Sequence, residues 1–189
     1  MNQAATIRLA RADDAAACVE IYRPFVEQSA VSFELVVPSE QEMAGRIEAV
    51  LAVAPWLVSE RAGRVLGYAY ASAFRTRPAY RWWMESTIYL APEARGSGLG
   101  RRLYEALMTL LRRQGFVSAL GVITLPNVAS VALHERLGFR PLTVLPQAGF
   151  KLGAWHDVGW WRLALCDPPA APEPPRPPAE ALPELFAGP

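Results

Sequence analysis

The stretch 93-EARGSGLGRRLYEAL-107 sets three glycines, alternating with Ser97 and Leu99, between arginines and directly ahead of a helical pattern. Glycines let a backbone approach a ligand closely, and a helix N-terminus carries partial positive charge, so such a loop can offer main-chain N–H groups to an anion. Arg95, Arg101 and Arg102 add countercharge. Two phosphate motifs do not fit. A P-loop needs a lysine followed by Ser or Thr, and a dinucleotide fingerprint opens the first βαβ unit. On the residues alone the loop is either an anion site or an ordinary glycine-rich turn.

Working outward, the helix that begins near Gly98 turns Leu99, Leu103, Leu107, Leu110 and Leu111 inward and stops at Gly115. Upstream, residues 84–90 read as a strand closed by Pro92, behind two strands at 56–60 and 65–74 joined by a turn. A short strand at 7–10 comes first. Asp13 is expected to cap the next helix, whose apolar positions are Cys18, Ile21, Tyr22 and Phe25, and Pro24 is expected to kink or end it. Ser39 and Glu42 form a capping-box pattern ahead of Met43, Ile47, Val50 and Leu51. Downstream come a strand at 117–123, a helix at 127–137 ended by Gly138, and strands at 139–145 and 159–165. This order implies an α/β (α+β) domain over residues 1–166, with a mixed, mostly antiparallel sheet and helices on both faces.

Residues 167–189 (DPPAAPEPPRPPAEALPELFAGP) hold nine of the seventeen prolines and little that can build a core. They are expected to be a disordered or extended appendage outside the fold, with a ligand for a proline-recognition module as the other reading.

Composition narrows the class. Of 189 residues, 52% are hydrophobic and 20% charged, which suits a globular domain, and a net charge of +1 speaks against a nucleic-acid partner. No apolar run approaches the roughly 20 residues of a membrane span. The first residues lack a signal peptide's apolar core. Cys18 and Cys166 stand far apart with no Cys/His cluster, so neither a disulfide framework nor a metal site is expected. A cytoplasmic location follows as the default.

Taken together, the segments resemble a known family. Arg95-Gly96-Ser97-Gly98-Leu99-Gly100, after a strand and opening a helix, is similar to the pyrophosphate loop of the GNAT N-acetyltransferases, and 127-NVASVALHERLGF-139 is similar to that fold's second landmark. The resemblance runs across residues 6–165. It narrows to the phosphinothricin/methionine sulfoximine acetyltransferase branch through 85-ESTIYL-90, 120-LGVITLPN-127 and 147-QAGFKLGAWHDVGWW-161.

The resemblance implies acetyl-CoA as co-substrate and no metal. Arg95, Gly96, Ser97, Gly98, Leu99, Gly100 and Arg101 would hold its pyrophosphate, with Ile88, Tyr89 and Leu90 along the pantetheine arm. That arm is a chain of amides, and a bulge or splay after Glu85-Ser86-Thr87 would free strand groups to meet it. Asn127 would also contact the cofactor; the plain alternative is a helix cap.

Moving an acetyl group from a thioester to an amine requires a base for the ammonium and a proton for the departing thiolate. Glu85, in an otherwise apolar strand beside Trp82, Trp83 and Met84, is the base candidate, since burial raises a carboxylate's pKa toward a useful range. The matching Glu is the proposed base in the resembled branch. A strand carboxylate paired with Arg77 or Arg81 is the plain reading. His134, seven residues after Asn127, stands where many of these enzymes carry a tyrosine acid but where the branch has a catalytic His. It suits either an acid or a second base, against packing on Tyr104. Tyr104 is a reserve acid or a core residue, and His156 a loop residue that could pair with Asp157.

Arg75, Arg77 and Arg81 cluster beside Tyr80 and two tryptophans, which suits a carboxylate or phosphinate acceptor. By resemblance the acceptor contacts are Phe33, Arg75, Thr76, Arg77, Tyr80, Glu85, Ser86 and Thr87. The branch is commonly dimeric, and Trp160 and Trp161 suggest apolar surface for such an interface. Three functions stay open here: acetylation of a small amino acid's α-amine, acetylation of a protein or peptide, and non-catalytic acyl-CoA binding.

Overall fold

In a computed structural model that describes residues 5–182, seven strands form one sheet in the order β1-β2-β3-β4-β5-β7-β6. They are β1 (Thr6–Leu9), β2 (Trp56–Arg61), β3 (Arg64–Ala73), β4 (Trp83–Leu90), β5 (Ser118–Leu125), β6 (Arg140–Lys151) and β7 (Ala154–Ala164). The helices are α1 (Ala15–Glu27), α2 (Glu40–Leu51), α3 (Leu99–Gln114), α4 (Val128–Arg136) and the short α5 (Pro178–Ala181). Every neighbouring pair of strands is antiparallel except β4 and β5.

Helices cover both faces, as the element order implied. On one face α3 presents Leu103, Tyr104, Leu107, Met108 and Leu111 to a core that includes Met84, Ala119, Ile123 and Phe139. On the other, α1 and α2 bring Cys18, Tyr22, Val26, Met43 and Ile47 onto Trp56, Val58 and Tyr68. The Ser39/Glu42 capping box forms: the Ser39 hydroxyl accepts from the Glu42 N–H, and the Glu42 carboxylate accepts from the Ser39 N–H at 2.7 Å.

The feature that positions the site is a parting of strands. β4 and β5 pair from Trp83↔Ser118 to Ser86↔Gly121 and no further, although β4 runs on to Leu90 and β5 to Leu125. Beyond Ser86 the two facing edges separate, so backbone groups there are left for another partner. The expected splay after residues 85–87 is therefore present.

Several local expectations change. Pro24 stays inside α1 instead of ending it, because the buried residues on either side hold the helix to the sheet. The N-terminal carboxylate that matters is Asp14 rather than Asp13. It accepts from the Arg11 N–H and from two nitrogens of Arg8, each at 2.7 Å. Burial pushes its pKa up, but these bonds outweigh burial and hold it below the usual range. The two strands expected at 139–145 and 159–165 form a long hairpin, β6–β7, reaching Lys151. Pro141 and Pro146 hid its period; register shifts at Pro141/Thr143 and Leu145/Gly149 absorb them, as an edge strand permits. Trp161 and Leu163 are buried, and the exposed apolar residues of the hairpin include Leu142, Val144 and Phe150 on β6 and Trp155 on β7.

The described part of the tail is mostly extended. Residues 173–182 lie against the domain, and residues 183–189 fall outside the described residues. Trp82 Nε1 donates to the Glu173 carbonyl, Arg176 N–H donates to the Gln114 carbonyl, and Gln114 Nε2 donates to the Arg176 carbonyl. Leu182 is fully buried. Proline suits this strap because an extended chain with few donors can cross a surface without leaving N–H groups unpaired. Ending the chain at Asp167 is expected to cost about 2 kcal/mol through loss of the buried Leu182, or roughly 5 °C in melting temperature. A thermal scan that finds no change would remove the strap from the fold.

Candidate active site

The glycine loop opens α3. Gly98 is the N-cap residue at φ 79°, and Gly96 sits at φ 73°. Both are in the left-handed region that side-chain-bearing residues avoid, and the space in front of each is open. Ser97 donates to the Ala94 carbonyl at 2.6 Å and steadies the turn. First-turn N–H groups of a helix have no acceptor within it; that of Leu99 donates to Ser97 Oγ at 3.4 Å, and those of Gly100 and Arg101 have no partner inside the helix. A Cβ on Gly100 would stand 3.0 Å from Leu90 Cδ1, which seats the helix start against the end of β4. Arg101 is bound to Glu105 at 2.8 Å, and the Arg95 guanidinium lies over the Phe25 ring.

A cavity of about 80 Å³ opens where β4 and β5 part. Ser86, Thr87, Ile88, Tyr89, Tyr104, Asn127, Ser130 and His134 line it, with Val31 at its rim. A wider surface groove of about 520 Å³ lies at the Arg64 end of β3, but both of its arginines are already joined to carboxylates, as Arg8–Asp14 and Arg64–Glu93. The smaller cavity, flanked by unpaired strand edges and titratable side chains, is the better candidate.

Successive residues of a strand face opposite ways. Ser86, Ile88 and Leu90 therefore turn to the α3 face, while Glu85, Thr87 and Tyr89 turn to the α1–α2 face, where Tyr89 meets Tyr22 and Phe25. On the α3 face lies a continuous polar chain. His134 Nδ1 is 2.8 Å from the Ser130 carbonyl, Nε2 is 3.2 Å from the Tyr104 hydroxyl, and that hydroxyl is 2.9 Å from Ser86 Oγ, which donates to the Leu120 carbonyl. A carbonyl only accepts, so Nδ1 carries the imidazole proton and Nε2 faces Tyr104 as an acceptor. Burial lowers the His134 pKa, partly offset by the Ser130 carbonyl, so the ring is neutral near pH 7. The Tyr104 hydroxyl, pushed well up by burial, holds one proton between two acceptors, Ser86 Oγ and His134 Nε2.

Glu85 is on the other face. Its carboxylate is about one-third exposed and 3.6 Å from Arg75, not paired with Arg77 or Arg81. Burial raises its pKa and the Arg75 charge offsets part of that rise. Arg75 itself lies over the Phe74 ring at 4.3 Å and near Trp160 at 5.8 Å. Tyr80 packs edge-on against Phe74, and Thr76 and Arg77 are exposed on the same loop. Phe33, between α1 and α2, lies against the backbone of Gly149 on β6.

The structure thus gathers Glu85, Arg75 and Thr87 on one side of β4, and Ser86, Tyr104 and His134 on the other. Ser86 is the one expected acceptor contact that turns away from the acceptor loop. Asn127 caps α4, accepting from the Ser130 N–H at 3.1 Å, and also borders the cavity. His156 donates to the Lys151 carbonyl at 3.0 Å, while Asp157 accepts from the Gln147 N–H. Sequence reasoning missed Gly121: a Cβ there would run into the His134 ring. A glycine in the middle of the apolar run 119-ALGVITL-125 was the signal, since strand glycines mark close approach. Among the described residues no group of three or more His, Cys, Asp or Glu is placed to hold a metal, and no helix is long and apolar enough to cross a membrane.

Comparison with known proteins follows this geometry. An acetyltransferase (GNAT) domain profile matches residues 7–160. The chain is 43% identical to phosphinothricin N-acetyltransferase of Streptomyces viridochromogenes over 171 residues, covering 90% of this chain and 93% of that one. It is 37% identical to the L-methionine sulfoximine/L-methionine sulfone acetyltransferase of Salmonella typhimurium over 89% of this chain and 98% of that one. A solved phosphinothricin acetyltransferase from Sinorhizobium meliloti, in complex with acetyl-CoA, superposes with a TM-score of 0.85 at 40% identity, covering 89% of this chain and 93% of that one.

Proposed function

Because this chain belongs to the GNAT acetyltransferase family and is an acetyl-CoA-dependent N-acetyltransferase, we propose that its acceptor is the α-amine of a small amino-acid-like compound of the phosphinothricin, methionine sulfoximine or methionine sulfone type. The observation that carries this reading is the parted pair β4–β5, with a carboxylate on one side and a proton-relay chain on the other.

Acetyl-CoA would lie in the parting. Its pyrophosphate would rest on the main-chain N–H groups of Gly96, Ser97, Gly98, Leu99, Gly100 and Arg101, with Arg95 nearby, because a glycine turn at a helix start can present such groups to an anion. The pantetheine amides would pair with the free edge at Ile88, Tyr89 and Leu90, and Asn127 would border the thioester end. When bound, the cofactor supplies the activated acetyl carbon.

The acceptor would enter on the Glu85 face. Arg75 and Arg77 suit its anionic group, with Thr76, Tyr80, Thr87 and Phe33 shaping the mouth. Glu85 takes one proton from the ammonium, directly or through water, and the free amine attacks the acetyl carbonyl carbon. As the C–S bond breaks, the nitrogen must lose a second proton and the sulfur gains one. The Tyr104 hydroxyl and His134 Nε2 are arranged to pass it across. A neutral imidazole accepts it, and the same burial that lowers its pKa makes the imidazolium ready to release it to the thiolate. This casts His134 as a transient acceptor and donor, rather than an acid already protonated at rest.

We also propose a cytoplasmic homodimer. The exposed apolar residues of the edge strand β6, Leu142, Val144 and Phe150, support an interface between copies.

The test of function is thiol release from acetyl-CoA over a panel holding phosphinothricin, methionine sulfoximine, methionine sulfone, common amino acids and a lysine-bearing peptide. Turnover is expected with the first three. Release with the peptide alone would shift the acceptor to protein, and acetyl-CoA binding without any release would leave only a binding module.

A further inference from the structure

The motif 151-KLGAWH-156 takes no part in the chemistry above, yet it contains the chain's only lysine among nineteen basic residues. Lys151 is 4% exposed, the only buried lysine or arginine among the described residues. A buried ammonium is costly unless its donors are satisfied, so its partners say what it is for. Nζ donates to the Ser32 carbonyl at 2.6 Å and approaches the Phe25 carbonyl at 3.4 Å. Both belong to the end of α1 and the loop that follows it.

Ser32 is held from a second side, by the Tyr22 hydroxyl against its own Oγ. Its chain neighbours are Val31, at the rim of the cavity, and Phe33, whose ring lies on Gly149. A Cβ at Gly149 would occupy the space of that ring. The hairpin end that carries Lys151 is rigidly closed. Leu152 and Gly153 turn at φ 51° and 76°, Lys151 pairs with Ala154, and His156 donates to the Lys151 carbonyl.

We propose that Lys151 is a positioning residue for the acceptor: it locks Val31, Ser32 and Phe33 onto the β6–β7 hairpin, so that the α1–α2 loop forms a fixed wall of the acceptor mouth. This rests on the small-amine reading above. Acetyl-CoA would lie mainly along α3 and the end of β4, and would meet the lock only at Val31 on the cavity rim.

The test compares wild type with Lys151→Met, using L-methionine sulfoximine and acetyl-CoA as the two varied substrates. A wall that shifts without loss of chemical groups should appear in the acceptor's KM, which is expected to rise about tenfold while kcat and the acetyl-CoA KM stay within about threefold. Amide hydrogen exchange over residues 28–38 should quicken in the variant and stay unchanged in β3 and β4. A lowered melting temperature with an unchanged acceptor KM would overturn the proposal, leaving Lys151 as structural support only. Should Lys151→Met not be recovered folded, Gly149→Ala decides: displacing the Phe33 ring should give the same acceptor-specific rise, and an unchanged KM overturns the lock. If wild type itself fails to acetylate any small amine, the acceptor reading falls; the exchange comparison needs no acceptor and still decides the lock.

Discussion

Glu85→Gln is expected to lower kcat by about 10²- to 10⁴-fold, the range a positioned base contributes, with acetyl-CoA affinity unchanged. The substitution keeps the size of the side chain and removes only its capacity to take a proton. Glu85 lies in the paired part of β4, opposite Leu120, with its side chain on the face away from α3, so no group that would hold the cofactor is disturbed. Losing the charge also releases Arg75, which would still reach an anionic acceptor from its place over Phe74. The acceptor's KM should therefore change by far less than kcat. Steady-state kinetics with both substrates varied, alongside equilibrium binding of acetyl-CoA, check this. Normal turnover by the variant would remove Glu85 from the chemistry.

The second large effect is expected from Gly121→Ala. The added methyl would meet His134 at Cδ2 and at Nε2, the latter at 2.5 Å, closer than real carbon contacts allow. The imidazole has little room to retreat, since it is 3% exposed and packed edge-on against Tyr104 and Phe139 at 5.2 and 4.9 Å between ring centres. Either the ring turns away from the Tyr104 hydroxyl or β5 moves and widens the parting. Both break the relay, and turnover is expected to fall about a hundredfold, the cost of misplacing a reacting group by about 1 Å. Overpacking should also cost about 1–3 kcal/mol of stability. Kinetics at a temperature well below the variant's melting point separate the two losses. Unchanged kcat in a folded variant would show that His134 serves packing alone.

What was legible in the sequence was local. The leucine spacing of α3, its glycine termini, the Ser39/Glu42 box and the strand before the glycine loop each depend on neighbours a few residues away, and each formed as read. Glu85 could be found because a lone carboxylate in an apolar strand is unusual within a short window. The relay could not be assembled that way. Tyr104 and His134 are thirty residues apart on different helices, and only the seating of α3 and α4 over the parted strands brings them within 3.2 Å. The Glu85 partner was misassigned for a related reason: three arginines lie within reach in sequence, and the turn at 78–80 decides which one faces β4. The hairpin was obscured by prolines that an edge strand tolerates. Composition left the place of the tail open, since proline content says nothing about docking to an existing surface. Lys151 had no local signal at all, because its partners are more than 100 residues away.

The most direct measurement of the central claim is the pH dependence of kcat/KM for methionine sulfoximine, in wild type and Glu85→Gln. A base works only when ionised, so wild-type activity should rise with pH through the folded pKa of Glu85. Burial places that limb above the ordinary carboxylate range, with Arg75 limiting the rise. The variant should lose this limb and keep the ionisations of His134 and of the acceptor's own amine. Identical profiles in the two proteins would contradict the assignment of proton removal to Glu85.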